Sequence, residues 1–230
     1  MLVRNWMSKD LVTIEAEDSM QQAMALLREH KIRTLPVLKK GKLVGMVTDS
    51  DLKRASASDA TMLDIHELLY LISKIKVHDI MTKNPITVPD DYTVEETAQV
   101  LLEHNISGVP VTDCDGKMVG IITRNDIFKI LSCLSGLGKE GIHVAFQIED
   151  AAGSIKLLAD VIRKYEGRIG SILSTSEYAP EGKRIVYLRM YGINRSIMPD
   201  LLRELQEKGT LIYLVDHHDN KREVFLDMKA

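Results

Sequence analysis

Residues 45–51 read Gly45-Met46-Val47-Thr48-Asp49-Ser50-Asp51, and residues 120–126 read Gly120-Ile121-Ile122-Thr123-Arg124-Asn125-Asp126. Both are Gly-x-x-Thr-x-x-Asp, set 75 residues apart. Working outward, Gly41-Lys42 matches Gly116-Lys117 at the same offset. Before one inserted residue the offset is 74, which pairs Pro36 with Pro110, His30 with His104 and Met7 with Met81. Self-similarity at a fixed spacing marks a structural repeat. Two copies of one unit are therefore expected, at about 3–54 and 77–130.

Each copy predicts the same elements. A short strand (12–14; 86–88) precedes a helix whose apolar face is Met20, Ala23, Met24 and Leu27, or Val94, Thr97, Ala98 and Leu101, the i, i+3, i+4, i+7 spacing of an amphipathic helix. Ser19 with Gln22 and Thr93 with Glu96 form capping boxes. Hairpins follow, with strands 35–38 and 43–47, then 109–112 and 118–122, around the turns Lys39-Lys40-Gly41-Lys42 and Asp113-Cys114-Asp115-Gly116. A second helix begins near Asp49 and Arg124. One such β-α-β-β-α unit buries too little surface to stand alone, so the copies are expected to pack on each other. In the linker, 55–76, Leu68, Leu71, Ile72 and Ile75 stand at helical spacing and predict a helix.

Residues 132–141 are rich in small residues and read as a hinge. Beyond them the period changes to two: Ile142, Val144, Phe146 and Ile148 alternate with His143, Ala145, Gln147 and Glu149, a half-buried strand. A helix (Ile155, Leu158, Ala159, Ile162) follows. Two strands, 168–177 and 184–191, are joined by a turn at Pro180–Gly182. A helix (Met198, Leu201, Leu202, Leu205) comes behind Ser196 as N-cap, and a last strand spans 211–215. The order βαββαβ is the ferredoxin-like arrangement. The expected fold class is α+β, with one domain at 1–135, a second at 140–217 and a charged tail, 218–230, with no assigned structure.

Composition limits function. Hydrophobic residues are 45% and charged residues 27% of the 230, values of a globular chain. A net charge of −3 without a basic stripe argues against nucleic acid, and aromatics at 5% argue against a stacking platform for single strands. Cys114 and Cys133 lack zinc-ligand spacing, and no metal site is expected. No apolar run reaches the ~18 residues of a membrane span, and the N-terminus lacks signal-peptide character, so a cytoplasmic protein is expected. Gly136 to Gly141 fits GxGxxG but follows a helix and precedes a strand, the reverse of the dinucleotide-binding context. Asp113-x-Asp115-Gly116 reads as a hairpin turn, and His217-His218-Asp219 as a solvated loop. No nucleophile has an activating partner set, so no catalytic residues are assigned.

The doubled Thr–Asp motif carries the chemistry. Each copy lies where a strand passes into a helix, placing a hydroxyl and free N–H groups at a helix N-terminus, a setting that favours phosphate. The carboxylate three residues on can accept from two vicinal ribose hydroxyls. The same spacing is also a capping box; duplication at matched positions favours the ligand.

Through these motifs, with Met-Ser/Thr-Lys and the Leu35-Pro36-Val37 and Val109-Pro110-Val111 strands, residues 3–130 resemble a tandem CBS domain pair, or Bateman module. That resemblance implies an adenosyl ligand (AMP, ADP, ATP or S-adenosylmethionine) in clefts between the repeats. It further implies that Thr48 and Thr123 contact phosphate or ribose oxygens and that Asp51 and Asp126 hold ribose hydroxyls. Thr13–Ile14 and Thr87–Val88, with Pro36 and Pro110, would flank the adenine. Arg33 and Arg124 are candidate bidentate phosphate partners; Ser107 stands where the first copy has Arg33, which makes the sites unequal. Residues 141–216 resemble an ACT domain, with Asp150, Gly153 and Ser154 as its ligand loop, although Ala151-Ala152 and Arg168 depart from that family's pattern. The whole arrangement resembles bacterial acetoin-utilisation accessory proteins. It implies a non-catalytic regulator without a cofactor beyond its adenosyl ligand, a homodimer with a protein partner. The alternatives are a ligand-free structural adaptor and a nucleotide- or acetoin-metabolising enzyme.

Overall fold

A computed structural model describes residues 1–59, 74–137 and 141–226, with the backbone alone for 56–59. The chain forms two compact units, Met1–Lys129 and Ile130–Ala230.

In the first unit the repeat is realised as expected. The first copy runs β1 (Ile14–Glu15), α1 (Met20–Glu29), β2 (Thr34–Lys39), β3 (Lys42–Thr48) and α2 (Asp49–Asp59). After the short helix α3 (Val77–Ile80) and β4 (Thr82–Lys83), the second runs β5 (Val88–Pro89), α4 (Val94–Glu103), β6 (Gly108–Thr112), β7 (Met118–Thr123) and α5 (Arg124–Leu134). The sheets are ordered β1-β2-β3-β4 and β5-β6-β7. The first strands are shorter and later than the expected 12–14 and 86–88. Both capping boxes form, with Ser19 and Thr93 accepting from the backbone of Gln22 and Glu96. Helix α1 buries Met20, Ala23 and Leu27, while Met24, expected beside them, lies at the margin of the stripe and is 39% exposed. Lys40 (φ 52°) and Gly41 (φ 77°) make the tight left-handed turn of the first hairpin, the backbone that matches strand twist. In the second, Asp113 Oδ1 accepts from Asp115 N and Lys117 N at 3.0 and 2.9 Å, an Asx-type turn that uses the extra residue.

The copies exchange their leading segments. Residues 2–8 lie along the second copy: Val3 N donates to Tyr92 O (2.8 Å), Arg4 N to Asp90 O (3.1 Å), and Ser8 pairs with Ile121. Residues 76–83 lie along the first: Val77 N donates to Asp18 O (2.9 Å), His78 N to Ala16 O (3.0 Å), and Thr82 pairs with Met46. Each bond of one set has its counterpart in the other at the repeat offset. This explains both the repeated methionine and the glycine of the motif. A Cβ on Gly45 would stand 2.3 Å from Met81 Sδ, and one on Gly120 2.2 Å from Met7 Sδ. The glycines make room for the crossing methionines.

The expected linker helix falls outside the described residues except at its ends, where α2 extends to Asp59. The expected hinge begins later than 132, because α5 continues through Leu134; residues 138–140 lie outside the description.

The second unit contains β8 (Ile142–Glu149), α6 (Ser154–Lys164), β9 (Arg168–Thr175), β10 (Lys183–Tyr191), α7 (Met198–Gln206), β11 (Thr210–Asp216) and β12 (Lys221–Val224). Its sheet is ordered β12-β11-β8-β10-β9, so the expected βαββαβ order is present with one strand added. That strand corrects the unassigned tail: Lys221 to Val224 pair with Asp216 to Tyr213. The start of α7 is also corrected. Its N-cap position is Ile197, not Ser196, without a side-chain cap, and Asn194 instead caps the preceding 3-10 turn, Arg195–Ile197, accepting from Ser196 N at 3.0 Å. Helices α6 and α7 cover one face through Leu158, Val161, Ile162, Leu201 and Leu205, packed on Val144, Phe146, Ile148, Val186 and Leu188. Ala145, expected to face outward, is fully buried with Ile185 and Ile212 beneath Tyr187 and Tyr213. The strand β8 is thus covered on both faces.

On this second face Arg189 is 4% exposed. Its Nε donates to Ser135 O at 2.7 Å, and Ser171 Oγ donates to the same carbonyl at 2.9 Å. The carbonyl follows the last residue of α5, where a cation complements the helix dipole.

Candidate functional site

The two Thr–Asp pairs form identically. Thr48 donates to Asp51 Oδ2 through its backbone N (2.9 Å) and its hydroxyl (2.6 Å), and Asp51 N approaches Thr48 Oγ1 at 3.3 Å. For Thr123 and Asp126 the distances are 3.0, 2.7 and 3.4 Å. The geometry is a reciprocal cap at the starts of α2 and α5. The cap uses one carboxylate oxygen of each pair, which leaves the other to the neighbouring cation, Arg54 beside Asp51 and Lys129 beside Asp126. Oδ2 closes the cap, and Oδ1 takes no part in it.

Asp51 lines a cleft of about 250 Å³ with Arg54, Ala55, Asp79 and Ile80. This is slightly below the ~300 Å³ at which ligand pockets usually begin, room for a nucleoside-sized group. Arg54 Nη2 donates to Asp51 Oδ1 at 2.9 Å. Asp79 Oδ1 lies 3.2 Å from His78 Nε2, and Lys76 N donates to Asp79 Oδ2 at 3.3 Å. Sequence reading missed Arg54, Asp79 and Ile80. The available signal was position: Arg54 lies one turn beyond Asp51, and Asp79-Ile80 precede the repeated methionine.

The other expected residues divide. Ile14 and Val88 are buried on β1 and β5, and Pro36 and Pro110 on β2 and β6; Thr13 is half-buried, and Arg33 and Thr87 are exposed. Arg33 O and Ser107 O accept from Asp49 N (3.1 Å) and Arg124 N (2.9 Å), and the hydroxyls of Thr34 and Ser107 approach to 3.5 Å. The strand starts leading to both Thr–Asp pairs thus meet. Arg124 is turned toward the end of α4, donating from Nη2 to Leu101 O (3.2 Å) and Asn105 Oδ1 (3.0 Å).

In the second unit, Asp150, Gly153 and Ser154 stand at the β8–α6 junction. Gly153 is the left-handed residue before α6 (φ 88°), and Asp150 Oδ1 lies 3.3 Å from Arg184 Nε. A separate cavity of about 150 Å³ is lined by Gly141, Ile142, Met190, Tyr191, Gly192, Ile193, Arg195 and His218. Cys114 and Cys133 are free thiols. Among the described residues no group of three His, Cys, Asp or Glu side chains is placed to hold a metal ion, and no helix is long and apolar enough to cross a membrane.

His143 packs between Tyr213 and Tyr187, with its Nδ1 3.4 Å from Tyr213 Oη. Burial first, then Arg189 and His217, push its pKa down from 6.5 to about 4. The folded value lies below the unfolded one, so the stability carried by neutral His143 is complete above pH 6.5. It is lost progressively as pH falls toward 4. Discounted for partial solvation, the expected loss is on the order of 1 kcal/mol. Denaturant titrations across this window, on the native chain and His143→Phe, test it: the substitution should flatten the profile, and identical profiles would contradict the assignment.

The CBS domain family profile matches residues 3–58 and 77–133, the two copies described above. A CBS domain-containing protein of Dictyostelium discoideum is 35% identical over 131 residues, covering 56% of this chain and 90% of that protein. A CBS domain pair solved with 5′-methylthioadenosine and S-adenosyl-L-methionine is 34% identical, covers 57% of this chain and 96% of its own, and superposes with a TM-score of 0.49. The CBSX2 protein of Arabidopsis thaliana, solved with AMP, is 36% identical, covers 56% and 95%, and gives a TM-score of 0.47. The family profile and the Dictyostelium relative, with the repeat and its Thr–Asp helix starts, show that the chain belongs to the CBS domain family, through a tandem CBS pair in its first 133 residues.

Proposed function

We propose that this chain is a non-catalytic sensor of an adenosyl ligand, AMP, ADP, ATP or S-adenosylmethionine, held at the Thr–Asp helix starts of the CBS pair. The observation that carries this reading is Asp51 on the wall of a nucleoside-sized cleft, in a Thr–Asp pair that is duplicated at Thr123 and Asp126. A carboxylate oxygen there accepts from the 2′ and 3′ hydroxyls of a ribose. The phosphate or sulfonium end then lies toward the helix start, with Arg54 at hand in the first cleft and Arg33 or Arg124 after rotation of the guanidinium. Thr48 and Thr123 hold the carboxylates in place. The strands at Thr13–Ile14 and Thr87–Val88, with Pro36 and Pro110, flank the base.

The second unit is read as an ACT-like regulatory domain that receives the signal, working in a cytoplasmic homodimer with a protein partner. The regulated process, by resemblance, is acetoin utilisation. Ligand can act on such a partner only by binding two arrangements of the protein unequally.

Thermal unfolding with AMP, ADP, ATP, S-adenosylmethionine and 5′-methylthioadenosine tests the sensor. A ligand at one hundred times its Kd should stabilise by about 2.7 kcal/mol. No shift with any of them would leave the adaptor reading.

A further inference from the structure

We propose that Trp6 is the base-stacking residue of the second cleft, the one opened by Thr123 and Asp126, and that this cleft is the preferred site for a phosphorylated adenosyl ligand. The inference rests on the sensor reading above and adds which cleft and which side chain.

The crossing segments carry it. Met20 N bonds to Ile75 O, and Val94 N to Met1 O; Met81 N bonds to Val77 O, and Met7 N to Val3 O. Ser19 pairs with Lys76, and Leu2 with Thr93. Residues 2–8 therefore occupy against the second copy the place that 76–82 occupy against the first. The same relation carries Asp51, Arg54, Ala55, Asp79 and Ile80 of the first cleft onto Asp126, Lys129, Ile130, Asn5 and Trp6. Where the first cleft has Ile80, the counterpart position holds the indole of Trp6, which is 36% exposed, an aromatic face of the kind on which bases stack.

Two further differences favour phosphate there. Asn5 replaces Asp79, so the second cleft carries one carboxylate fewer to repel a phosphate. Asp126 Oδ1 has Lys129 Nζ at 3.5 Å, whereas Asp51 Oδ1 is held by Arg54 Nη2 at 2.9 Å. Oδ1 of Asp126 is thus held more loosely by its cation than Oδ1 of Asp51.

Trp6 is the chain's single tryptophan, so its fluorescence reports on this place alone. AMP should change the emission saturably, and ribose 5-phosphate, which lacks the base, should not. Trp6→Ile installs the residue found at the counterpart position and preserves apolar bulk; it should weaken AMP binding about tenfold by calorimetry. Trp6→Phe should retain most of the affinity. AMP binding to the native chain with unchanged Trp6 emission, or Trp6→Ile binding as tightly as the native chain, overturns the inference while the sensor reading stands. No AMP binding to the native chain overturns both.

Discussion

Replacing Asp51 and Asp126 together by alanine is expected to abolish the thermal shift given by AMP or S-adenosylmethionine. Both Oδ1 atoms are lost, and with them the acceptors proposed for the ribose hydroxyls at each Thr–Asp pair. The same change removes both reciprocal caps, since Asp51 and Asp126 each accept from the backbone and hydroxyl of Thr48 and Thr123. A lost cap costs about 1 kcal/mol, so the double variant should also be about 2 kcal/mol less stable. Asparagine separates the two effects. Its single carbonyl oxygen can still close the cap, but its amide cannot accept from ribose. Asp51→Asn with Asp126→Asn should therefore keep most of the stability and still lose the ligand shift. An alanine double variant that binds as the native chain does would remove the carboxylates from the site.

Phe146→Ala should have the largest effect on folding. Phe146 is completely buried at the centre of β8, against the helices α6 and α7, and truncation of such an aromatic costs about 3–5 kcal/mol. In a unit of this size each kcal/mol moves the midpoint by about 4–8 °C, so the transition of the second unit should fall by more than about 10 °C. The first unit has its own core, built on Met20, Leu27, Leu35, Val37, Val47 and Leu52. Its response to AMP should persist while the second unit is unfolded. Loss of nucleotide binding in step with the second unit would show that the two do not act as separate folding units.

The repeat was legible because duplicated segments keep their glycines, prolines and caps in register. Gly41, Pro36, Ser19 and their counterparts mark the same turns and helix starts in both copies. The exchange of leading segments was not legible. Val3 bonds to Tyr92 and Val77 to Asp18 across long stretches of chain, and no local periodicity reports such pairing. For the same reason Asp79 and Ile80 escaped notice as cleft residues. Strand β12 was hidden by its composition: Lys221, Arg222 and Glu223 read as a solvated tail, yet charged side chains are what an exposed edge strand carries. The Thr–Asp pair was legible only as two alternatives, cap or pocket, since both need the same residues at the same spacing. The structure shows the cap, closed by one carboxylate oxygen in each pair; the pocket is the proposal that the other oxygen serves.

A crystal structure of the chain grown with millimolar AMP tests the central claim most directly. The prediction is a nucleotide with its ribose hydroxyls within about 2.5–3.2 Å of Asp126 Oδ1, and of Asp51 Oδ1 if the first cleft also fills. A nucleotide bound away from both carboxylates, or clefts left empty at that concentration, would contradict the claim that these helix starts are sugar-phosphate sites.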